Sequence, residues 1–182
     1  ECLVKNVQDN LDVLPSDMNL AGAEIEFQEI ENKETLLKRY LDQVRDDYDF
    51  ILIDCPPSLN ILTINALTAA DTVLVPIQCE YYALEGLNQV LKTVELVRKK
   101  LNPQLELEGV VFTMYDARTN LSLQVVESVK SNLNQTIYKT IIPRNVRLAE
   151  APSHGKSINL YDTSSTGAES YRMLAAEVMS RG

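Results

Sequence analysis

The chain has 182 residues, of which 45% are hydrophobic and 24% are charged, and its formal net charge is −9. This length and apolar content suit a single domain over residues 1–182 with a well-formed core. No apolar run approaches the roughly 20 residues that a membrane-spanning helix requires, and the acidic balance argues against nucleic acid binding over the whole surface.

The apolar residues alternate between strand-like and helix-like spacing along the chain, with short links between the segments. Strands are predicted over Asn10–Pro15, Phe50–Asp54, Thr72–Ile77, Leu107–Thr113 and Ile137–Ile142. Helices are predicted over Glu34–Asp46, Leu59–Ala69 with Ser58 as N-cap, Leu84 to about Lys100, Leu121–Leu133 and Thr166–Ser180. Such alternation predicts an α/β fold with a doubly wound, mostly parallel sheet that helices flank on both faces.

Cysteine and histidine usage gives no sign of a metal site. The three cysteines, Cys2, Cys55 and Cys79, cannot all pair, none forms a C-x-x-C motif, and His154 is the one histidine of the sequence. We therefore expect free thiols in a reducing cytoplasm rather than a disulfide or a zinc site.

The stretch from Tyr48 to Ser58, YDFILIDCPPS, holds the most informative acid of the chain. Its apolar run Phe50–Ile53 is typical of a strand buried on both faces, and the run ends on Asp54. An acid at the carboxyl end of such a strand lies in the crevice where open α/β sheets bind ligands. In P-loop nucleoside triphosphatases, an acid in this place helps to hold magnesium.

This stretch resembles the second nucleotide motif of the ParA/Soj family of chromosome and plasmid partitioning ATPases. Three further blocks resemble the same family in the same order: PIQCEYYALEGL from Pro76, TMYDARTNL from Thr113 and IIPRNVRLAEAPSHGK from Ile141. The resemblance covers nearly the whole chain. It implies a P-loop NTPase fold, ATP and magnesium as cofactors, a homodimer, non-specific DNA and a ParB-like protein as partners, and a cytoplasmic location at the nucleoid.

One departure from the family limits what carries over. The family opens with a glycine-rich phosphate loop, and no G-x-x-x-x-G-K-[ST] motif occurs in this sequence. We therefore expect the chain to correspond to the carboxyl-terminal part of a partitioning ATPase, to have no catalytic residues of its own and to bind neither cofactor functionally. Because the strand before the phosphate loop lies inside the family's sheet, we also expect a rearranged sheet or association with a second copy.

The resemblance assigns roles to residues at the ends of three predicted strands. Asp54 would hold magnesium through water in the intact protein. Met114, Pro143, Arg144 and Asn145 would surround the adenine base: Met114 and Pro143 would give apolar contacts, and the amide of Asn145 offers both a donor and an acceptor. The alternative for Asn145 is the capping of a short helix.

A basic segment lies within this acidic chain. Residues 114–156 hold six Lys or Arg and three Asp or Glu, a balance of +3, and such an asymmetry points to an anionic partner. The resemblance implies that Arg118 and Arg147 contact DNA phosphates without sequence preference; Lys139, Lys156 and Arg172 are weaker candidates. The alternative is that the two arginines pair with Asp116 or Glu150 as solvated surface residues.

Other functions remain open at this point. A non-catalytic module that binds DNA or protein through the same arginines is the main alternative. A MinD-like membrane-associated relative is disfavoured because Ala175–Gly182 lacks a basic amphipathic tail, and an iron–sulfur relative lacks suitably placed cysteines. The adjacent Tyr81 and Tyr82 fit either a subunit interface or the covering of a helix start.

Overall fold

The computed structural model describes residues 3–22, 26–56, 58, 60–133 and 136–181. Their contacts divide into two compact units, one ending at Ala70 and the other beginning at Asp71. Within the described ranges, no helix combines the length and the apolar character that crossing a bilayer requires. The single domain over residues 1–182 stays a prediction.

Among its described residues, the first unit contains a small antiparallel sheet and two α-helices. Strand β1 (Val4–Gln8) pairs with strand β2 (Leu11–Val13), and helices α1 (Leu36–Leu41) and α2 (Ile61–Ala69) follow. Short 3-10 helices cover Met18–Gly22, Phe27–Glu29, Lys33–Thr35 and Arg45–Asp47. Asn65 joins the two α-helices, because its amide donates to the Lys33 carbonyl at 2.9 Å and accepts from the Leu37 N–H at 3.1 Å.

Two helix predictions for the first unit need correction. The predicted helix Glu34–Asp46 is α-helical only over Leu36–Leu41, and acids that lie after Leu41 oppose the negative end of a helix dipole. The helix predicted from Leu59 begins at Ile61, and its cap is Asn60, whose side chain accepts from the Thr63 N–H at 3.1 Å. Leu59 itself lies outside the described residues.

The predicted buried strand Phe50–Asp54 is also wrong. Residues 50–54 adopt no strand, and none of the described strands pairs with them. Except for the half-buried Ile53, these residues are exposed to solvent, with Phe50 52% and Leu52 88% exposed. An apolar run becomes a strand only where a neighbour satisfies its backbone donors and acceptors, and this run has none among the described residues.

The second unit is built on a three-stranded parallel sheet. Strands β3 (Thr72–Gln78), β4 (Glu106–Tyr115) and β5 (Ile137–Pro143) lie in that order. Helices α3 (Ala83–Lys100) and α4 (Asn120–Asn132) connect them. Helices α5 (Val146–Glu150), α6 (Ile158–Tyr161) and α7 (Thr166–Met179) follow, with a 3-10 turn over Ala151–His154. Of these, only the short segments between residues 146 and 161 were not predicted from the sequence.

Helices cover both faces of this sheet, which confirms the α/β fold class. Val110 and Phe112 point to one face and pack with Leu87 of α3 and Val126 of α4. Val111, which alternates with them, points to the other face and packs with Leu174 of α7. Alternation between faces is the geometry of any strand, and because helices cover both faces, the central residues of β4, Val110–Phe112, form a continuous apolar run.

The last helix bonds the backbone of the outer strand β5 where the pairing of β5 with β4 shifts register, between Val110 and Phe112. Glu177 of α7 accepts the backbone N–H groups of Lys139 and Thr140, both at 2.9 Å, and the Thr140 hydroxyl at 2.8 Å. Burial raises the pKa of Glu177, but these donors and the nearby Arg181 outweigh it, and the pKa is lowered. The carboxylate therefore satisfies backbone donors that an edge strand otherwise leaves open.

Candidate functional site

The carboxyl ends of the three strands bring separate loops of the second unit side by side. The Cys79 N–H donates to the Thr113 carbonyl at 3.0 Å, and the Arg144 N–H donates to the Tyr115 carbonyl at 2.8 Å. These bonds align the loops that follow β3, β4 and β5. We call this surface, formed by residues 79–82, 113–119 and 143–150, the carboxyl edge.

Met114 has an unusual backbone at this edge. Its φ of 54° lies in the left-handed region, which costs a residue with a side chain about 1–2 kcal/mol. The pairing of β4 with β5 shifts register between Phe112 and Tyr115, so the irregularity turns the end of β4. Strained residues of this kind often mark functional positions; the base contact predicted for Met114 stays a prediction.

The side-chain amide of Asn145 makes two hydrogen bonds within the fold. It is the N-cap of α5, where its Oδ1 accepts the Arg147 N–H at 2.8 Å, and its Nδ2 donates to the Thr166 hydroxyl at 2.7 Å. The helix-capping alternative for Asn145 is therefore present in the structure. One amide N–H and one lone pair stay available for a ligand, and the predicted contact with a base stays a prediction.

Arg118 is held by an acid of its own loop. Its Nε and Nη2 donate to the two carboxylate oxygens of Asp116 at 2.9 and 2.7 Å. The guanidinium hydrogen bonds, helped by the Arg118 backbone N–H at 3.0 Å, hold the pKa of Asp116 well below its usual range. The Arg118 side chain is nevertheless 85% exposed, so its outer face is open to a ligand.

Arg147 is held by two acids. Its Nη1 donates to Glu150 at 2.8 Å, and its Nε lies 3.4 Å from a carboxylate oxygen of Asp162. Glu150 also accepts the Tyr161 hydroxyl at 3.1 Å, and the hydrogen bonds from Arg147 and Tyr161 lower the pKa of Glu150. The Arg147 side chain remains 53% exposed.

A third arginine of the carboxyl edge has an acidic partner of its own. Arg144 donates through Nη2 to Glu80 at 3.0 Å, with both side chains about half exposed. The pairing crosses from the loop after β5 to the loop after β3. Tyr81 and Tyr82 follow Glu80; they are 79% and 73% exposed, and their rings pack edge to face.

The first unit has its own cavity, which Asp54 lines. It measures about 620 Å³, and it is lined by Asp54, by the polar residues Ser16, Asp17, Asn60 and Asn65, and by apolar side chains of which Leu37 and Phe27 are examples. No group of three or more His, Cys, Asp or Glu in the described part of the chain is arranged to hold a metal ion. An exposed carboxylate among oxygen donors fits a magnesium ion that phosphates and water hold in part.

Sequence comparison decides the family. A model of the AAA domain matches residues 1–107. Sporulation initiation inhibitor protein Soj of Bacillus subtilis (strain 168) is 61% identical over 174 residues, which are 96% of this chain and 69% of that protein. Chromosome partitioning protein ParA of Caulobacter vibrioides (strain NA1000 / CB15N) is 50% identical over 183 residues, 100% of this chain and 68% of that protein. The chain belongs to the ParA/Soj family of chromosome-partitioning ATPases.

Solved structures share the fold of this ParA/Soj chain. Cobyrinic acid a,c-diamide synthase from Mycobacterium smegmatis, crystallised with bound ADP and magnesium, is 36% identical with a TM-score of 0.81, over 98% of this chain and 65% of that one. The cell division ATPase MinD of Pyrococcus furiosus, at 21% identity and a TM-score of 0.78 over 100% of this chain and 70% of its own, shares the fold. This ParA/Soj chain spans about two thirds of the length of these relatives.

The structure gathers most of the predicted site residues of this ParA/Soj chain. Met114, Arg118, Pro143, Arg144, Asn145 and Arg147 all lie at the carboxyl edge, whereas Asp54 belongs to the first unit. Sequence reasoning missed Glu80 and Asp162 as partners of arginines. Neither pairing has a local signal, because Glu80 is 64 residues from Arg144 and Asp162 is 15 from Arg147.

Proposed function

We propose that this chain is the DNA-contacting and base-binding part of an ATP-dependent partitioning protein of the ParA/Soj type. One observation carries the proposal: in a chain 61% identical to Soj over 96% of its length, Arg118 and Arg147 both lie at the carboxyl edge with exposed side chains. Two exposed guanidinium groups at one edge of the sheet suit a polymer that offers phosphates at regular spacing. The proposed partners are non-specific DNA, a second copy of the protein and a ParB-like protein, in the cytoplasm at the nucleoid.

The exposed faces of Arg118 and Arg147 support the contact with DNA. A guanidinium has five N–H donors, and Asp116 takes two of those of Arg118. The remaining donors are available to a phosphate oxygen. Contacts to phosphate carry no sequence information and weaken steeply with salt, which is the behaviour we propose for this protein.

The nucleotide roles follow from the family and from the loops at the strand ends. Met114, Pro143, Arg144 and Asn145 would surround the adenine base, and Asp54 would hold magnesium through water together with the ATP phosphates. No phosphate-loop motif occurs in the 182 residues. We therefore expect no measurable ATP turnover by this chain alone, and turnover with purified chain would contradict that expectation.

Binding to immobilised double-stranded DNA tests the proposal. The chain and its Arg118→Ala and Arg147→Ala variants are compared at low and moderate salt, singly and combined. We expect each single change to weaken binding and the double variant to lose most of it, because each removes a phosphate contact. Lys92→Ala is the matched control, since it removes one exposed cation from helix α3 and should leave binding unchanged.

Two outcomes would overturn the DNA contact. Retention that is equal in the chain and in the double arginine variant would remove these residues from it. Retention that does not fall as salt rises would show that phosphate contacts are not its basis. If the chain is not retained on DNA at all, the protein-binding form of the non-catalytic module becomes the better description.

A further inference from the structure

The three arginines of the carboxyl edge lie beside four carboxylates, so negative charges outnumber positive ones in this set. Arg118 faces Asp116, Arg144 faces Glu80, and Arg147 faces both Glu150 and Asp162. Three cations and four carboxylates leave this set of residues with a charge of −1. The net positive charge of residues 114–156 is therefore cancelled where the arginines lie. A phosphate that approaches any of the three guanidinium groups also approaches a carboxylate.

Asp116 is fixed more firmly than the arginine that it holds. Its side chain is 17% exposed, against 85% for Arg118. The Asp116 backbone N–H donates to the Ser122 hydroxyl at 3.2 Å, its carbonyl accepts the Thr119 hydroxyl at 3.1 Å, and its carboxylate accepts the Arg118 N–H. These bonds fix the Asp116 backbone, and the Arg118 N–H orients the carboxylate beside the guanidinium.

We propose that Asp116 and Glu150 lower the DNA affinity of this edge by competing with phosphate for the guanidinium groups of Arg118 and Arg147. The inference rests on the DNA contact proposed above and adds an intrinsic restraint on it. The two carboxylates occupy donors that phosphate would take, and their charge repels the DNA backbone at close range. The two acids act on the arginines that contact DNA and do not themselves touch DNA.

The two acids are expected to differ in strength. Asp116 binds Arg118 through two hydrogen bonds and is its one acidic partner among the ion pairs of the described residues. Glu150 shares Arg147 with Asp162, which would continue to compete after Glu150 is neutralised. Removal of the Asp116 charge should therefore strengthen DNA binding more than removal of the Glu150 charge.

The test measures binding of the chain to a double-stranded DNA fragment at about 50 mM and 200 mM salt. Asp116→Asn should tighten binding about twofold to fivefold at the lower salt, the range of an exposed ion pair, and Glu150→Gln should do so about twofold or less. The gain should shrink at the higher salt, because screening weakens the repulsion. Urea denaturation of each variant checks that the fold is retained.

Two further variants separate a local effect from a general loss of negative charge. Glu95→Gln makes the same charge change on an exposed position of α3, about 18 Å along the helix from Ala83 and so beyond the Debye length of roughly 10 Å at 0.1 M salt. It should leave binding unchanged. In an Arg118→Ala background, Asp116→Asn should give little of its gain, because a competitor acts through the arginine for which it competes.

The outcomes distinguish the inference from the proposed function. If the arginine variants lose binding while Asp116→Asn binds like the unaltered chain or more weakly, the acid does not compete with DNA and the inference is overturned alone. An equal gain from Asp116→Asn with and without Arg118, or from Glu95→Gln, also overturns it. If no variant is retained on DNA at either salt, or if the arginines make no difference, the proposed DNA contact fails and the inference fails with it.

Discussion

Two apolar segments of similar composition behave oppositely in this molecule. Residues 110–112 of β4 lie between two neighbouring strands and two layers of helices, and each is at most 1% exposed. Residues 50–53 are as apolar, yet they form no strand, and Leu52 is 88% exposed. An apolar sequence specifies burial only when the rest of the fold supplies ladder partners on both sides and a layer on each face.

The largest expected difference between these segments is in stability. Phe112→Ala should lower the free energy of unfolding by about 3–5 kcal/mol, since it removes a fully buried ring and leaves a cavity. The same change at Phe50, which is 52% exposed, should cost under about 1 kcal/mol. Urea denaturation followed by circular dichroism measures both. Equal losses would show that the 50–53 segment is packed in solution, and the comparison of the two segments would fail.

The same contrast explains what the sequence could predict. Strands β3, β4 and β5 and helices α3, α4 and α7 agree with the predicted ranges within about two residues at each end, because their apolar spacing matches the covering that they receive. Phe50–Asp54 fails because the neighbours of a strand are not encoded in the strand itself. Short helices such as Val146–Glu150 depend on a cap, here Asn145, rather than on periodicity.

For the candidate site too, one part could be predicted from the sequence and another could not. The end of a strand is readable from the sequence, so the clustering of Met114, Arg118 and Asn145 at one edge was predictable. The Arg118–Asp116 pair was foreseen as an alternative because it spans two residues. The link between Arg144 and Glu80 was not, since contacts across loops depend on the three-dimensional order of the strands.

A second prediction concerns how an edge strand is protected. Glu177 bonds two backbone donors of β5, whereas none of the described residues does so for the strand-like run at 50–53. Glu177→Ala should lower stability by about 1–3 kcal/mol, because it leaves these donors unsatisfied. Glu177→Gln keeps one acceptor and should cost less. Chemical denaturation at neutral pH ranks the variants; a loss from Gln as large as from Ala would mean that charge, not hydrogen bonding, matters.

The lowered pKa of Glu177 also predicts that the stability of the fold depends on pH in the acid range. Its folded pKa lies below the ordinary value, so its contribution is present above the unfolded pKa of about 4.3 and is lost as pH falls through the lower folded pKa. The stability of the unaltered chain should therefore fall more steeply below about pH 4.5 than that of Glu177→Gln. Parallel acid curves for the two proteins would contradict this role.

The smallest expected effect comes from a tyrosine in each unit, and it tests whether the first unit has fixed contacts of its own. The Tyr48 hydroxyl donates to Asp12 at 2.6 Å, which raises the pKa of Tyr48 to about 12. In the second unit, burial first and then the hydrogen bond to Glu108 raise the pKa of Tyr138 to about 12. In both cases the neutral phenol is favoured in the folded state, so its contribution to stability is complete below the ordinary pKa of about 10 and is lost as pH rises towards 12.

Absorbance titration should show one fewer late-titrating tyrosine in each of Tyr48→Phe and Tyr138→Phe. If Tyr48→Phe leaves the titration between pH 10 and 12 unchanged while Tyr138→Phe alters it, the bond between residues 12 and 48 does not persist in solution. The first unit would then lack a fixed contact between its hairpin and residue 48.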